Sequence, residues 1–293
     1  MTNPSPTTVG ILCGAGAALF WAAGFAAARH GIALGFSAAD LALHRFAWIG
    51  FFLLPILLRD GLRDLGGIGW GRGILLALFG GPPLAIISYS GFLVVPLGHG
   101  GVIQPASAAL FGLLYASLVL GENLPRERVI GALVIVAGLC LIGFEALFTI
   151  GRHGLLGDFA FVTAGWCFAT FAMLVKLWHL PATRATVIVS VVSLADIPIH
   201  GVLFGFERML SFGLWENLLQ VIAQGVFAGA GAIYLFARAV MLLGAARAAV
   251  FTSLVPAFTL LMGFVFLGEI PSLAQIAGLV IVLVGFRMTQ RPG

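Results

Sequence analysis

Ionisable side chains inside the long apolar runs of this chain are few, so each is a candidate for chemistry. His44 and Arg45 are adjacent, with Asp40 upstream, and Asp196 and His200 stand four apart in a later run. An arginine can hold a carboxylate through two parallel hydrogen bonds. Arg45 could therefore grip an anionic substrate, or it could pair with Asp40 or Asp196. Its place on the second helix of a repeat makes a structural pair the expectation. Asp196 and His200 share one face of a helix. That spacing would serve a proton relay, but its position towards the outer end of a span is better explained by a hydrated vestibule.

The neutral polar residues form a second set. Ser88, Tyr89 and Ser90 interrupt an apolar run, and Gln104 stands immediately before Pro105. A proline leaves a helix carbonyl without its donor, which a neighbouring amide or a ligand can serve. Trp21, Tyr115, Trp166, Thr170, Tyr234, Thr252 and Ser253 fall at mid-depth of their runs. Rings at the depth of Trp21 and Trp166 are too far in to be interfacial anchors. They suit either core packing or a cavity wall that stacks on an apolar or aromatic side chain. Serine and tyrosine hydroxyls would meet the polar ends of a zwitterion, or simply bond to their own helix.

Catalytic constellations are missing from the sequence. His30, His99, His153 and His179 fall near the ends of runs, and neither a His-rich nor a paired-Asp motif occurs. There is no Gly-x-x-x-x-Gly-Lys-Ser/Thr phosphate loop, so a gradient or simple equilibration must supply the energy. Cys13, Cys140 and Cys167 lack metal-ligand spacing and read as small core residues. No catalytic residue, metal site or cofactor is expected, and an intramembrane enzyme is a remote alternative.

The elements that must position these residues follow from composition. Of 293 residues, 61% are hydrophobic and 9% charged, with mean hydropathy +1.12. Soluble domains carry about 25% charged residues, so lipid is the solvent for most of this surface. Ten apolar spans are read at 9–29, 37–58, 73–95, 100–120, 127–148, 155–177, 184–205, 217–239, 247–267 and 272–290. The polar start, Met1 to Thr8, lacks the basic stretch and cleavage site of a signal peptide, so the first span is expected to stay.

With the N-terminus inside, Arg59, Arg63, Arg72, Arg126, Arg128, Lys176, Arg184, Arg238, Arg247, Arg287 and Arg291 fall on the cytoplasmic side. Arg29, Arg152 and Arg208 fall outside. This bias places both termini in the cytoplasm. The net charge of +4 is carried at helix ends and is no nucleic-acid signature.

An internal repeat organises the spans. A shift of 147 residues carries Gly268, Glu269, Gly278 and Gly285 onto Gly121, Glu122, Gly131 and Gly138, and pairs Gly10 with Gly157. Five spans is an odd number, so the second copy enters the membrane with opposite polarity. The halves are 1–148 and 149–293. Inverted repeats build many secondary transporters, with the site near the midplane where helices are broken. Gly81, Pro82 and Pro83 break the third span, and Gly225, Gly229 and Gly231 thin its counterpart, the eighth. Pro105 and Pro256 bend the fourth and ninth. Gly81, Pro82, Pro83, Pro105, Gly229 and Pro256 are therefore the hinge candidates. Glu122 and Glu269 read as turn residues ordering the next helix.

Several of these motifs resemble a known family. Ala248 through Pro256 to Leu267-Gly268-Glu269, with Gly278 and Gly285, is similar to the closing hairpin of an EamA-type repeat of the drug/metabolite transporter superfamily. Phe20-Trp21-Ala22 and Gly157-Asp158 match the same family's patterns. Two departures limit the carry-over: Pro105 lies one turn before the position matching Pro256, and Trp166 lies two residues early. The resemblance, closest to the bacterial aromatic and neutral amino acid exporters, implies an all-α membrane protein of ten spans that exports small metabolites by alternating access. Its cavity would draw on Trp21, Ser88, Tyr89, Gln104, Trp166, Tyr234 and Ser253. Expected partners are an amino acid or similar metabolite and the lipid bilayer, for a monomer in a bacterial inner membrane. Lipophilic drugs or nucleosides are the alternative cargo.

Overall fold

A computed structural model describes residues 5–121, 125–243, 248 and 250–289, and these form helices joined by short turns. Glu122, Arg247 and Arg291 lie outside the described residues.

Helix α1 runs Pro6–Leu34, with Pro6 in the first turn and Ser5 accepting a hydrogen bond from the Thr8 amide at 3.2 Å. It stops at Gly35, whose φ of 111° favours glycine. Helix α2, Ala38–Asp60, starts with a reciprocal box. The Asp40 amide donates to Ser37 Oγ at 3.1 Å, and the Ser37 amide donates to Asp40 Oδ2 at 2.8 Å.

The break expected at Gly81 is present. It separates α3, Trp70–Gly80, from α4, Pro82–Gly91. Pro82 and Pro83 have no amide to continue the ladder. A Cβ on Gly81 would meet the Ala77 carbonyl and lie 2.9 Å from Ser193 Oγ. Helix α5 is Leu97–Leu118, α6 Arg126–Thr149 and α7 Arg152–Leu177.

In the seventh span, α8, Ala182–Val192, passes through a 3₁₀ turn at Ser193–Ala195 into α9, Asp196–Leu203. A short α10, Glu207–Ser211, leads to α11, Gly213–Gln220. A π-helical stretch, Val221–Gly231, then joins α11 to α12, Ala232–Leu243. A 3₁₀ turn at Val250–Ser253 opens α13, Leu254–Leu267, and α14 is Leu273–Thr289. Eight helical stretches among the described residues are long and apolar enough to cross a membrane. The apolar helices Phe251–Leu267 and Leu273–Thr289 are shorter.

The helices pack reciprocally. Helix α1 lies against α12, the π segment and α13, while its counterpart α7 lies against α4 and α5. Helices α2 and α8 face each other, and α6 faces α14. The repeat glycines form this last seam. A Cβ on Gly131 would sit 2.8 Å from the Gly285 carbonyl, and one on Gly285 would sit 2.7 Å from the Gly131 carbonyl. Gly138 and Gly278 meet in the same way, at 2.9 and 3.1 Å. The pairing of 131 with 285 and 138 with 278 fixes α6 and α14 as antiparallel. In lipid, such close backbone approach is what holds helices together.

Tyr89, Phe36, Phe92 and Phe161 are the largest fully buried side chains. Phe52, Phe148 and Leu273, each more than four-fifths exposed, belong to an apolar outer surface. One cysteine departs from expectation. Cys167 is buried, but Cys140 is exposed and so is not a core residue.

Candidate functional site

A polar chain crosses the interior between the two halves. Arg45 Nη1 on α2 donates to the Tyr89 hydroxyl on α4 at 3.0 Å. Tyr89 donates to Gln224 Oε1 in the π segment at 2.7 Å, and Gln224 Nε2 donates to the Gly24 carbonyl on α1 at 2.8 Å. Gly24 is required here, since a Cβ would run into Ala228 at 2.5 Å and approach Gln224 Oε1 at 3.5 Å. One helical turn earlier, Gln220 Nε2 donates to the Ala27 carbonyl at 2.8 Å, leaving its Oε1 buried without a partner. π-helical segments often mark functional sites; here the last residue of α11, Gln220, and Gln224 of the π segment both reach α1.

Arg45 is the unusual member. A guanidinium carries five N–H donors. Among the described residues Arg45 makes one hydrogen bond, to a neutral hydroxyl, and no ion pair, with its Cζ 5.9 Å from the Phe46 ring. The expected pair with Asp40 or Asp196 does not form. Asp40 faces His200 instead, with Oδ1 3.1 Å from His200 Nε2, close enough to pair but off the hydrogen-bond direction. The Asp196–His200 relay also fails. His200 turns to α2 and its neighbour Phe206, while Asp196 Oδ2 is buried without a partner. Of the pair expected in a hydrated vestibule, His200 is buried while Asp196 is only partly buried. His44 is satisfied locally. Its Nδ1 accepts from Trp48 Nε1 at 3.3 Å and its Nε2 lies 3.0 Å from Asn217 Oδ1.

The remaining expected site residues divide. Ser88 donates to Gln104 Oε1 at 2.5 Å, so these two are joined, next to Tyr89. Ser90 turns back on its own helix, to the Ile87 carbonyl at 2.7 Å. Trp21 is partly buried against Phe236, with centroids 5.5 Å apart, and Trp166 packs edge-on to Phe79 at 5.5 Å. Tyr115 and Thr170 share a 2.8 Å hydrogen bond across α5 and α7. Tyr234 is 68% exposed and takes no part in the Arg45 chain. Ser253 closes the 3₁₀ turn before α13. Of the hinge candidates, Pro82 and Pro256 are buried. Gly229 is pressed against Ile49, and Pro105 is carried inside α5.

Glu269 has a larger part than a turn residue. Its Oε1 accepts from Arg29 Nε at 2.8 Å and its Oε2 accepts from the Leu97 amide at 2.7 Å. Arg29 also donates to the Phe92 carbonyl at 3.1 Å. One carboxylate thus ties α1, the start of α5 and the α13–α14 turn together. A cleft of about 240 Å³ lies beside it, lined by Arg29, Gly98, Leu260, Gly263, Glu269 and Gln275. A second cleft of about 440 Å³ lies between α2 and α8 at the opposite end, beside Asp60 and Arg184. Neither is lined by the residues expected to form a central cavity. Among the described residues, the buried carboxyl and imidazole groups, Asp40, His44, His99, Asp158 and His200, all lie towards the Arg29 end.

The fold and its polar seam define the class, a multi-pass helical membrane protein made of two matched units. The pattern of the EamA-like transporter family matches residues 8–144 and again 155–290, so the chain belongs to that family, within the drug/metabolite transporter superfamily. A solved structure titled "Crystal structure of protein" superposes with a TM-score of 0.61 at 19% identity, covering 96% of each chain. That likeness concerns the fold. No curated protein matches the chain.

Proposed function

We propose that the chain is a ten-span, inverted-repeat secondary carrier of a bacterial cytoplasmic membrane, with both termini in the cytoplasm and halves at 1–148 and 149–293. It works as a monomer and exports a small amphipathic metabolite bearing a carboxylate, an aromatic or neutral amino acid. One observation carries this reading: Arg45 stands partly buried in the bundle against Tyr89, and among the described residues no carboxylate pairs with it. Its guanidinium has donors to spare, and a substrate carboxylate would engage them bidentately.

Ser88, next to Tyr89 in sequence, and Gln104, which is bonded to Ser88, would meet the amino group, and Trp21 and Trp166 would wall the side chain. The Gly81–Pro82 break and the π segment lie at corresponding places in the third and eighth spans. They give the bundle irregular turns about which α4–α5 and α12–α13 can rock.

Uptake into proteoliposomes of the purified protein tests this, using labelled phenylalanine, threonine, a nucleoside and phenethylamine, which lacks the carboxylate. Phenylalanine or threonine should exchange. Arg45→Gln should raise KM about tenfold to hundredfold, the worth of a hydrogen bond to a charged group. Any phenethylamine flux should be indifferent to the change. A nucleoside moving while no amino acid does would sink the substrate assignment.

A further inference from the structure

Three titratable groups outside the Arg45 chain are enclosed together where α5, α6 and α7 meet. His99, on the first turn of α5, is 1% exposed. Its Nδ1 lies 2.8 Å from Asp158 Oδ1 on α7, and its Nε2 lies 4.0 Å from Glu145 Oε2 on α6. The imidazole therefore stands between two carboxylates, one at each ring nitrogen. Asp158 is 7% exposed. Its second oxygen, Oδ2, is buried with no donor, as is Glu145 Oε2. Phe161 and Phe92, both fully buried, lie 4.9 Å apart against the Gly100 side of the same stretch of α5 and exclude water there.

Buried carboxylate oxygens are rarely left without a partner, and in a membrane they mark a function by default. Two orphan oxygens flanking one imidazole need a cation. The ring separates the carboxylates, and among the described residues no three such groups converge as metal ligands. The cation that fits this geometry is a proton.

Other charges near this site are few. Arg152 and His153 are exposed at the start of α7. From α1 and the α13–α14 turn come Arg29 and Glu269, already engaged with each other beside Leu97. On the packed helices α4, α13 and α14 no carboxyl or imidazole faces the site; α4 offers Tyr89, bound to Arg45 and Gln224, and α14 has Arg287 at its far end. Arg72 on α3 and Lys176 on α7 also lie at the opposite end, and Cys140 and Cys167 lie further along α6 and α7.

We propose that Glu145, His99 and Asp158 form a proton-binding relay coupled to transport. Glu145 is the least buried of the three, at 15%, and is the port. A turn of the Glu145 side chain closes the 4.0 Å gap to hydrogen-bonding distance, and a proton passes from its carboxyl to His99 Nε2. The ring gives up its Nδ1 proton to Asp158, and Asp158 then holds it as a neutral acid. Each transfer breaks one O–H or N–H bond and makes another, and the imidazole ends in its other neutral form. The coupling half of this proposal rests on the carrier reading; the proton site does not.

Infrared difference spectra of the detergent-purified protein, taken between about pH 5 and about pH 8, test the site without any substrate. The protein should show a protonated carboxyl band that disappears as pH rises. Asp158→Asn and Glu145→Gln, checked for folding by gel filtration, should each lose a component of it. An unchanged band in both variants would overturn the site, because a permanently charged His–Asp tie holds no exchangeable acid.

Coupling is read separately, from the accumulation of labelled phenylalanine under an imposed pH gradient. One proton per turnover shifts the accumulation ratio about tenfold per pH unit, and Asp158→Asn should bring that shift to about onefold. An accumulation ratio indifferent to the gradient in the unaltered protein would overturn coupling. Absence of any phenylalanine movement would count against the carrier reading and leave the infrared result to judge the relay.

Discussion

Replacing Gly285 with alanine sets two opposed effects against each other, and the geometry decides between them. Alanine is favoured over glycine in a helix by about 1 kcal/mol. The added Cβ, however, would lie 2.7 Å from the Gly131 carbonyl, 2.7 Å from Ile135 Cγ1 and 2.9 Å from the Ile135 amide. Two of these three neighbours are backbone and cannot turn aside, so α6 and α14 must separate. Overpacking of this kind costs about 1–3 kcal/mol, and the separation also weakens the Gly138–Gly278 contact one step along. The net expectation is a loss of about 1–2 kcal/mol.

Gly112 on α5 is the control, since a Cβ there meets nothing within 4 Å. Gly112→Ala should gain about 0.4–1 kcal/mol. Thermal unfolding of the two variants in the same detergent should move in opposite directions, by a few degrees each at about 2–4 °C per kcal/mol. If Gly285→Ala is neutral or stabilising while Gly112→Ala behaves as expected, the α6–α14 seam is not the close contact described.

Other perturbations follow from the polar contacts. Tyr89→Phe removes the hydroxyl that joins Arg45 to Gln224 and leaves the Gln224 amide oxygen buried without a donor. It should cost about 1–3 kcal/mol in detergent unfolding, and unchanged stability would show that the chain does not bear on the fold. Glu269→Gln keeps an acceptor for the Leu97 amide but discharges the Arg29 pair. In a Cys140→Ser background, Gly263→Cys in the adjoining cleft should then react with a membrane-impermeant maleimide about tenfold faster, and an unchanged rate would show that the Glu269 tie does not restrict access to the cleft. Trp21→Ala and Trp166→Ala should each abolish phenylalanine uptake while retaining membrane insertion; full activity in both would take these rings out of the substrate path.

The span pattern was legible because lipid demands uninterrupted apolar runs: eight of the sequence runs correspond to helical stretches long and apolar enough to cross a membrane, and the last two to shorter apolar helices. Gly131, Gly138, Gly278 and Gly285 were legible as a repeat because a backbone-to-backbone seam tolerates no side chain. The break at Gly81-Pro82 follows from two missing amides.

The polar partnerships were not legible. Helices surrounded by lipid on one side and by other helices on the other are apolar all round, so periodicity does not say which way a given residue points. Tyr89 was expected to touch substrate directly but is spent between Arg45 and Gln224, partners 44 and 135 residues away. Gln220 and Gln224 escaped notice although their four-residue spacing in an apolar run places both on one face. In sequence His99 is a helix-end residue with no acid near it; only the packing of α5 against α7 brings Asp158 to it.

The contact between Gly131 and Gly285, and between Gly138 and Gly278, has a bearing on ancestry. Each helix presents to the other the same notch that it receives, so the surface is complementary to its own inverted image. A single five-helix unit carrying that notch could pair with an upside-down copy of itself, provided the membrane accepted both orientations. Under the proposed topology, joining two such units in one chain would make that pairing obligatory and free the two sides to diverge, as Trp21 with Trp166 and Pro105 with Pro256 have.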